Sequence, residues 1–306
     1  MTEESAPRRD RRVFLLLWML PLWLVISSGV GMFLYLRKQS AAKQEEQPKF
    51  ATQVSQQGLQ DDMAKLLNFV GERHTASPAG VQGLNRAVAM IEGSLGPGNA
   101  GYTVERVRTP GTPAGTWPIL IATLRGKDEK VDPLWVLAAY DARPGSIGAE
   151  ANASGVATVL AAAHSLAGAA PHRPVVFAFL PHAYDADAPL METFETLRKR
   201  IGSASEVLVV ESTGAAKELM LSSRDAENRA LRQMKDIGEV VGAESICLEE
   251  DFDLSSVLFE IGLPAVRVAT RAVVKADEED SGVPDPVNHA AATRALLTLI
   301  GRLSDS

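Results

Sequence analysis

From Val13 to Leu36 the chain reads VFLLLWMLPLWLVISSGVGMFLYL, 24 residues without a charge. Coiled as a helix at about 1.5 Å per residue, this run spans roughly 36 Å, enough to cross a hydrocarbon core of about 30 Å. A lone segment in lipid must satisfy its own backbone hydrogen bonds, so a helix is the structure it can take. Trp18, Trp23 and Tyr35 are residue types that favour membrane interfaces, although Trp23 sits deep. A secretory signal peptide is the rival reading. It requires an apolar core of about 7–15 residues and a small-residue cleavage site. This run is longer and ends in FLYLRK. The sequence therefore predicts an uncleaved, single-pass transmembrane helix over residues 13–36. Arg8, Arg9, Arg11 and Arg12 cluster before it, against Arg37, Lys38 and Lys43 after it. That bias places residues 1–12 as a cytoplasmic basic tail, with the body on the periplasmic or extracytoplasmic side. Pro21, Ser27, Ser28, Gly29 and Gly31 hint at helix packing within the membrane, because small residues permit close approach.

Residues 37–60 are polar, Gln-rich and poor in aromatics, and read as a linker or stalk. The folded body is expected over residues 61–306. The net charge is −7 and the body has no long basic run, which argues against a nucleic-acid partner. Cys247 is the single cysteine, so no internal disulfide or Cys-based zinc site exists, and it reads as a small core residue. None of the histidines, His74, His164, His172, His182 and His289, stands four residues from another as in a helical His-x-x-x-His motif.

Along the body, helical periodicity alternates with short apolar runs. DDMAKLLNFVGE (61–72) places Met63, Leu66, Leu67 and Val70 on one helical face, and VQGLNRAVAMIEGSL (81–95) does the same with Val81, Leu84, Val88 and Ile91. GYTVERVRT and ILIATLRG read as strands. WVLAAY (135–140), RPVVFAFLP (173–181) and SEVLVVEST (205–213) are apolar runs of the kind buried on both faces of a parallel sheet. Residues 154–170, 226–242 and 288–303 read as helices, and LPAVRVAT (263–270) as a further strand. The alternation predicts an α/β fold, with a mixed, mostly parallel central sheet and helices on both faces. Sites in such sheets form at the C-terminal ends of strands. Those ends are Tyr140–Asp141, Pro181–His182 and Glu211–Ser212.

Several segments in series resemble the co-catalytic zinc aminopeptidases of metallopeptidase family 28 (clan MH). Their fold is shared with glutaminyl cyclases and the transferrin receptor ectodomain. The resemblance rests on GERHTASPAG, on GYTVERV followed by ILIATLRGK, on VLAAYDARPGSIGAEANASGVATVLAAAHSLA, on RPVVFAFLPHAYD and on FDLSSVLFEIGLPAVRV. It covers about residues 61–303. It implies a site for two zinc ions, held by imidazoles and carboxylates around a bridging aspartate, with a further carboxylate as general base.

Carried over position by position, that site is degenerate. The His-x-Asp motif that ends the first core strand is Ala139-Tyr140-Asp141, so the imidazole is lost while the Asp remains. The bridging aspartate falls at Ala151. The paired glutamates fall at His182-Ala183, which puts histidine at the general-base position and a methyl in place of a ligand. Glu211 retains a carboxylate ligand position. The last histidine falls near residues 274–276, where Val-Lys-Ala stands. Two acids do not make a zinc site.

The sequence therefore predicts no cofactor and a membrane-anchored, catalytically inactive aminopeptidase-like protein. It would act as a binding or scaffold module. Its former cleft, lined by Tyr140, Asp141, Asn152, His182 and Glu211, would take a peptide or protein partner. An active zinc aminopeptidase with differently placed ligands is one alternative, and a structural subunit of a membrane complex is another. Asp141 and Glu211 are read as satisfied structural carboxylates. New chemistry at His182 would need Asp185 as partner and Ser146, Ser154 or Ser212 as nucleophile, none of which has a nucleophile-elbow context. Asn152-Ala153-Ser154 matches a glycosylation sequon but is expected to be buried in the loop. DEED (277–280) reads as a solvated acidic loop. The remaining histidines are assigned to surface or packing.

Overall fold

The computed structural model describes residues 19, 27–29, 31–33, 54–202, 205–225, 227–237, 243–244, 253–275 and 277–305. The chain divides into two units, Met1–Pro48 and Lys49–Ser306. In the first unit the described residues are helical. Among the described residues no helix is long and apolar enough to cross a membrane. Most of the run 13–36 lies outside those residues, as do Cys247 and Ala276.

The second unit is built on an eight-stranded mixed sheet. Its strands are β1 (Val104–Val107), β2 (Ile119–Leu124), β3 (Leu134–Ala139), β4 (Val175–Leu180), β5 (Glu206–Val210), β6 (Met220–Ser222), β7 (Ala243–Glu244) and β8 (Ala265–Ala269). Their order is β1-β2-β4-β3-β5-β8-β6-β7. The central four, β4-β3-β5-β8, are mutually parallel. The antiparallel pairings are β1–β2, β2–β4 and β6–β8. β3 and β4 are buried at every position, as their unbroken apolar runs require.

The period-two alternation of strand side chains divides the core in two. Leu120, Val136, Phe177, Phe179 and Leu208 face one way, into a cluster with Leu59, Leu84, Val159 and Leu296. These come from the helices α1 (Gln56–Ala64), α2 (Pro78–Leu95), α3 (Ser154–Leu166) and α7 (Pro286–Asp305). Ile121, Trp135, Leu137, Ala178 and Val209 face the other way and meet Phe194 and Leu258. Those belong to α4 (Leu190–Arg198) and α6 (Leu254–Glu260), whereas α5 (Arg229–Ile237) packs Leu231 and Met234 into the first cluster. Helices thus cover both faces of the sheet.

The start of the folded body is earlier than expected. α1 begins at Gln56, capped by the Ser55 hydroxyl, and Val54 and Leu59 are buried in the core. The boundary expected at Asp61 falls inside this helix. Leu59 and Met63 lie four residues apart on one face and are both buried, which is the packing that draws residues 54–60 into the domain. The helix continues as a π-helical stretch, Lys65–Val70.

Candidate functional site

β3, β4 and β5 run parallel, so their C-terminal ends open on the same edge of the sheet, and the residues just past each strand form the floor of the site. After β3 come Tyr140 and Asp141, after β4 comes His182, and after β5 comes Glu211. All four are buried. α3 closes in from the side. A Cβ on Gly155 would lie 2.5 Å from the Val210 carbonyl, so the missing side chain is what allows α3 to seat its N-terminus against the end of β5.

Asp141 is held by backbone. Its Oδ2 accepts from the N–H groups of Tyr184 (2.7 Å) and Asp185 (3.1 Å) on the turn after β4. Its Oδ1 is buried without a hydrogen-bond partner among the described residues. Burial pushes the Asp141 carboxyl up to about 6, against the pull of those N–H donors. The Tyr140 hydroxyl donates to the Pro118 carbonyl (2.8 Å), and its side chain packs into the core.

Glu211 is neutralised from within the fold. The Arg267 Nε, from the middle of β8, lies 2.9 Å from Glu211 Oε2, and both side chains are only 4% exposed. Arg267 also donates to the Arg271 carbonyl (3.0 Å). Burial raises the Glu211 carboxyl above its ordinary range and the guanidinium draws it back. The Tyr184 hydroxyl donates to the Ala151 carbonyl (3.2 Å), and its pKa is raised by burial and then by the Glu211 charge, so the phenol stays protonated.

His182 adopts a left-handed backbone (φ 64°) at the end of β4. The Thr193 hydroxyl donates to the Pro189 carbonyl (2.8 Å), so His182 Nδ1, 3.1 Å from that hydroxyl, carries the proton. Burial lowers the imidazole pKa to about 4. Asp185, the expected catalytic partner, accepts instead from the N–H and hydroxyl of Thr75, at 2.6 Å each. Two of the three candidate nucleophiles are likewise engaged, and the third, Ser212, is buried in a left-handed backbone after β5 (φ 46°). Ser154 Oγ donates to the Glu150 carbonyl (2.9 Å) and accepts from Thr213 N–H (3.0 Å), while Ser146 Oγ accepts from Gly148 N–H (3.0 Å). No His–Asp–Ser relay is assembled from these residues.

The loop carrying Ala151 rests on two buried charges to which sequence reasoning gave no role there. Asp280 accepts from the N–H groups of Glu150 (2.6 Å) and Ala151 (2.9 Å). The DEED segment is thus not simply solvated: Asp280 is buried, and Glu278 pairs with Arg271. Arg73 is fully buried and donates to the carbonyls of Gly71 (2.7 Å) and Gly148 (3.1 Å) and to Asn152 Oδ1 (3.0 Å). Burial lowers it to about 10, with Asp141 and Asp280 opposing the fall. An arginine inside GERHTASPAG and one inside the apolar strand AVRVA were the available signals, because a buried charge demands a partner. Asn152 is buried as expected. His74 pairs with Glu72 (3.1 Å), His164 with Ser94 (2.8 Å) and His289 with Thr158 (2.8 Å), so these histidines have partners that the sequence did not indicate.

The donor set does not fit two zinc ions. Ala139, Ala151 and Ala183 present methyl groups, Val274 is buried with its carbonyl accepting from Arg143 (2.8 Å), and Lys275 is exposed. Of the two carboxylates left, Glu211 is already paired with a cation. Among the described residues no three His, Cys, Asp or Glu side chains group as a metal site.

The model of Peptidase family M28 matches residues 120–181, from β2 to the end of β4. No curated protein matches the chain. Among solved structures, the LapA aminopeptidase of Legionella pneumophila superposes with a TM-score of 0.65 at 15% identity, over 86% of this chain and 75% of that one. A Zn-dependent exopeptidase from Parabacteroides distasonis gives 0.60 at 13% identity, over 81% and 98%. A glutaminyl cyclase from an Acidobacteriales bacterium gives 0.61 at 15%, over 82% and 95%. The strand order, the matched segment and these neighbours together show that the chain has the aminopeptidase-like fold of peptidase family M28.

Proposed function

We propose that this protein is a membrane-tethered, catalytically inactive aminopeptidase-like protein that binds a peptide or protein partner at the former active-site cleft. The observation that carries this reading is the buried ion pair between Glu211 and Arg267 at 2.9 Å. A carboxylate at a metal-ligand position of the family is here balanced by a guanidinium on the neighbouring strand. Alanines at 139, 151 and 183 point the same way, because a methyl group has no lone pair to offer. His182 adds support: an imidazole held neutral and bonded to Thr193 is not a carboxylate general base.

Zinc content tests the reading. The full chain, purified without chelator and reloaded with zinc, is expected to retain no stoichiometric metal and to release no amino acid from peptides with free N-termini. One or two tightly bound zinc ions per chain, with peptide hydrolysis, would overturn it. The tether is proposed from residues 13–36 alone. Full-length protein should resist alkaline carbonate extraction from membranes, and a chain starting at residue 50 should not.

A further inference from the structure

We propose that the cleft recognises the free carboxyl terminus of a peptide ending in a short apolar residue, with Arg143 as the recognition group. The inference rests on the binding role proposed above and names its ligand.

Arg143 follows Asp141 on the loop after β3 and is half-buried. Its guanidinium stands over the Tyr184 ring, 5.8 Å from the centroid. One amino group donates to the Val274 carbonyl at 2.8 Å, which fixes the plane of the fork. No other hydrogen bond from Arg143 to a described residue exists, so Nε and Nη2 remain as donors. Two parallel donors on a planar cation match a carboxylate, and stacking on a tyrosine lowers the cost of ordering them.

The groups beside Arg143 select the rest of the ligand. A cleft of about 310 Å³ is lined by Arg143 and Asp185 together with Ala183, Tyr184, Ala188 and Leu190. That volume is small for a ligand site and suits a short side chain. Apart from Arg143 and Asp185, its walls are methyl, aliphatic and aromatic surface. The Asp185 carboxylate is fixed by the N–H and hydroxyl of Thr75, and among the described residues it makes no ion pair with Arg143, so the Arg143 donors stay open to a ligand. The Tyr184 hydroxyl is turned to Ala151. Ala183, one of the positions where a carboxylate is lost, is part of this wall. The change therefore removes negative charge from the neighbourhood of a fixed cation.

On its other flank Arg143 borders a cleft of about 380 Å³, which Asp277, Glu279 and Asp280 also line. Asp280 is held by two backbone N–H groups and Glu278 by Arg271. This side favours a cation. A ligand that entered here by its amino terminus would be the opposite of the one proposed, and the test must separate the two.

The experiment uses full-length protein in mild detergent and one pool of fluorescent heptapeptides ending in Ala or Val. The pool is prepared in four forms: both ends free, N-acetylated, C-amidated, and both blocked. A second set carries Glu inside an amidated peptide, to distinguish a terminal carboxylate from a side-chain one. The two forms with a free carboxyl terminus are expected to bind at least tenfold more tightly than their amides, with acetylation making no difference. Arg143→Gln should remove that tenfold preference, so that acid and amide forms bind alike. Arg143→Lys, which keeps the charge but loses the fork, should retain part of the preference and guards against a folding defect in the first variant. Equal binding of acid and amide, binding that depends on a free amino terminus, preference for the internal Glu peptide, or no binding in any form would each overturn the proposal. Release of shortened peptides, read by mass spectrometry, would instead sink the inactive-protein reading itself.

Discussion

β3 and β4 are apolar along their whole length, while the residues immediately after them are polar and buried. The strand bodies fall within the segment matched by the family model, residues 120–181, and supply the centre of the sheet. At the strand ends the charged side chains are held by particular partners, although Asp141 Oδ1 and His182 Nε2 have none among the described residues. Asp141 is bound by two backbone N–H groups, Glu211 by Arg267, and the loop at Ala151 by Asp280. The core needs only apolar surface of about the right volume, and many sequences supply that. The strand ends need each charge matched to one partner, so a change at one position obliges a change at another.

The largest test of that contrast removes a matched charge. Arg267→Met leaves Glu211 buried and unpaired, and should cost about 3–5 kcal/mol in chemical denaturation at neutral pH. Replacing both partners, as Arg267→Met with Glu211→Leu, should recover most of the loss, because two apolar side chains leave no buried charge. A double variant as unstable as the single one would show that the pair is not what balances this end of β5.

These partners explain what the sequence did and did not reveal. WVLAAY and RPVVFAFLP show as buried strands because a run of apolar residues bounded by turns has few other places to go. β6, β7, α4 and α6 did not stand out, being short elements without a long periodic signal. Asp141, His182 and Glu211 could be placed at strand ends from the alternation alone. Their partners could not. Arg267 is 56 residues from Glu211, and Asp280 is 129 residues from Ala151. The first pairing is set by the strand order β3-β5-β8 and the second by the loop after β8, and no local pattern encodes either.

Asp141 gives the next effect, and it depends on pH. Its folded pKa of about 6 lies above its ordinary value of 3.8. The unfolded chain therefore ionises more readily, and the native state carries a cost that builds from about pH 4 and is complete above about pH 6. That cost is lost as pH falls from 6 to 4, because the native carboxyl takes up a proton first. Asp141→Asn has no such titration. Wild type should gain on Asp141→Asn by up to about 3 kcal/mol between pH 7 and pH 4, at about 1.4 kcal/mol per pKa unit. His182 and His289, both lowered to about 4, act in the opposite sense in both proteins and cancel in the difference. A difference that stays flat with pH would place an ionised carboxylate at Asp141 in the native state across the range.

In the core the same logic predicts tolerance. Leu208 on β5 is fully buried, two residues before the strand ends. Leu208→Met preserves volume and polarity and should cost less than about 1.5 kcal/mol. A loss comparable to that of Arg267→Met would mean that the strand bodies are as closely specified as their ends.

The smallest effect is expected where charges meet in water. Arg106 on β1 forms a two-pronged pair with Glu92 of α2, with Arg106 60% exposed. Like Arg267 with Glu211, it joins a guanidinium Nε to a glutamate carboxylate, here with a second bond and in contact with solvent. In water each ion keeps most of its hydration after the partner is removed, so Arg106→Ala should cost at most about 1 kcal/mol. Salt should shrink even that, since the screening length falls to about 3 Å at 1 M. β1 is also an edge strand, and a charged side chain there opposes edge-to-edge pairing with another molecule. Arg106→Ala should therefore lower solubility, read by light scattering, more than it lowers the denaturation midpoint. A stability loss near that of Arg267→Met, unaffected by salt, would show that geometry rather than burial sets the worth of these pairs.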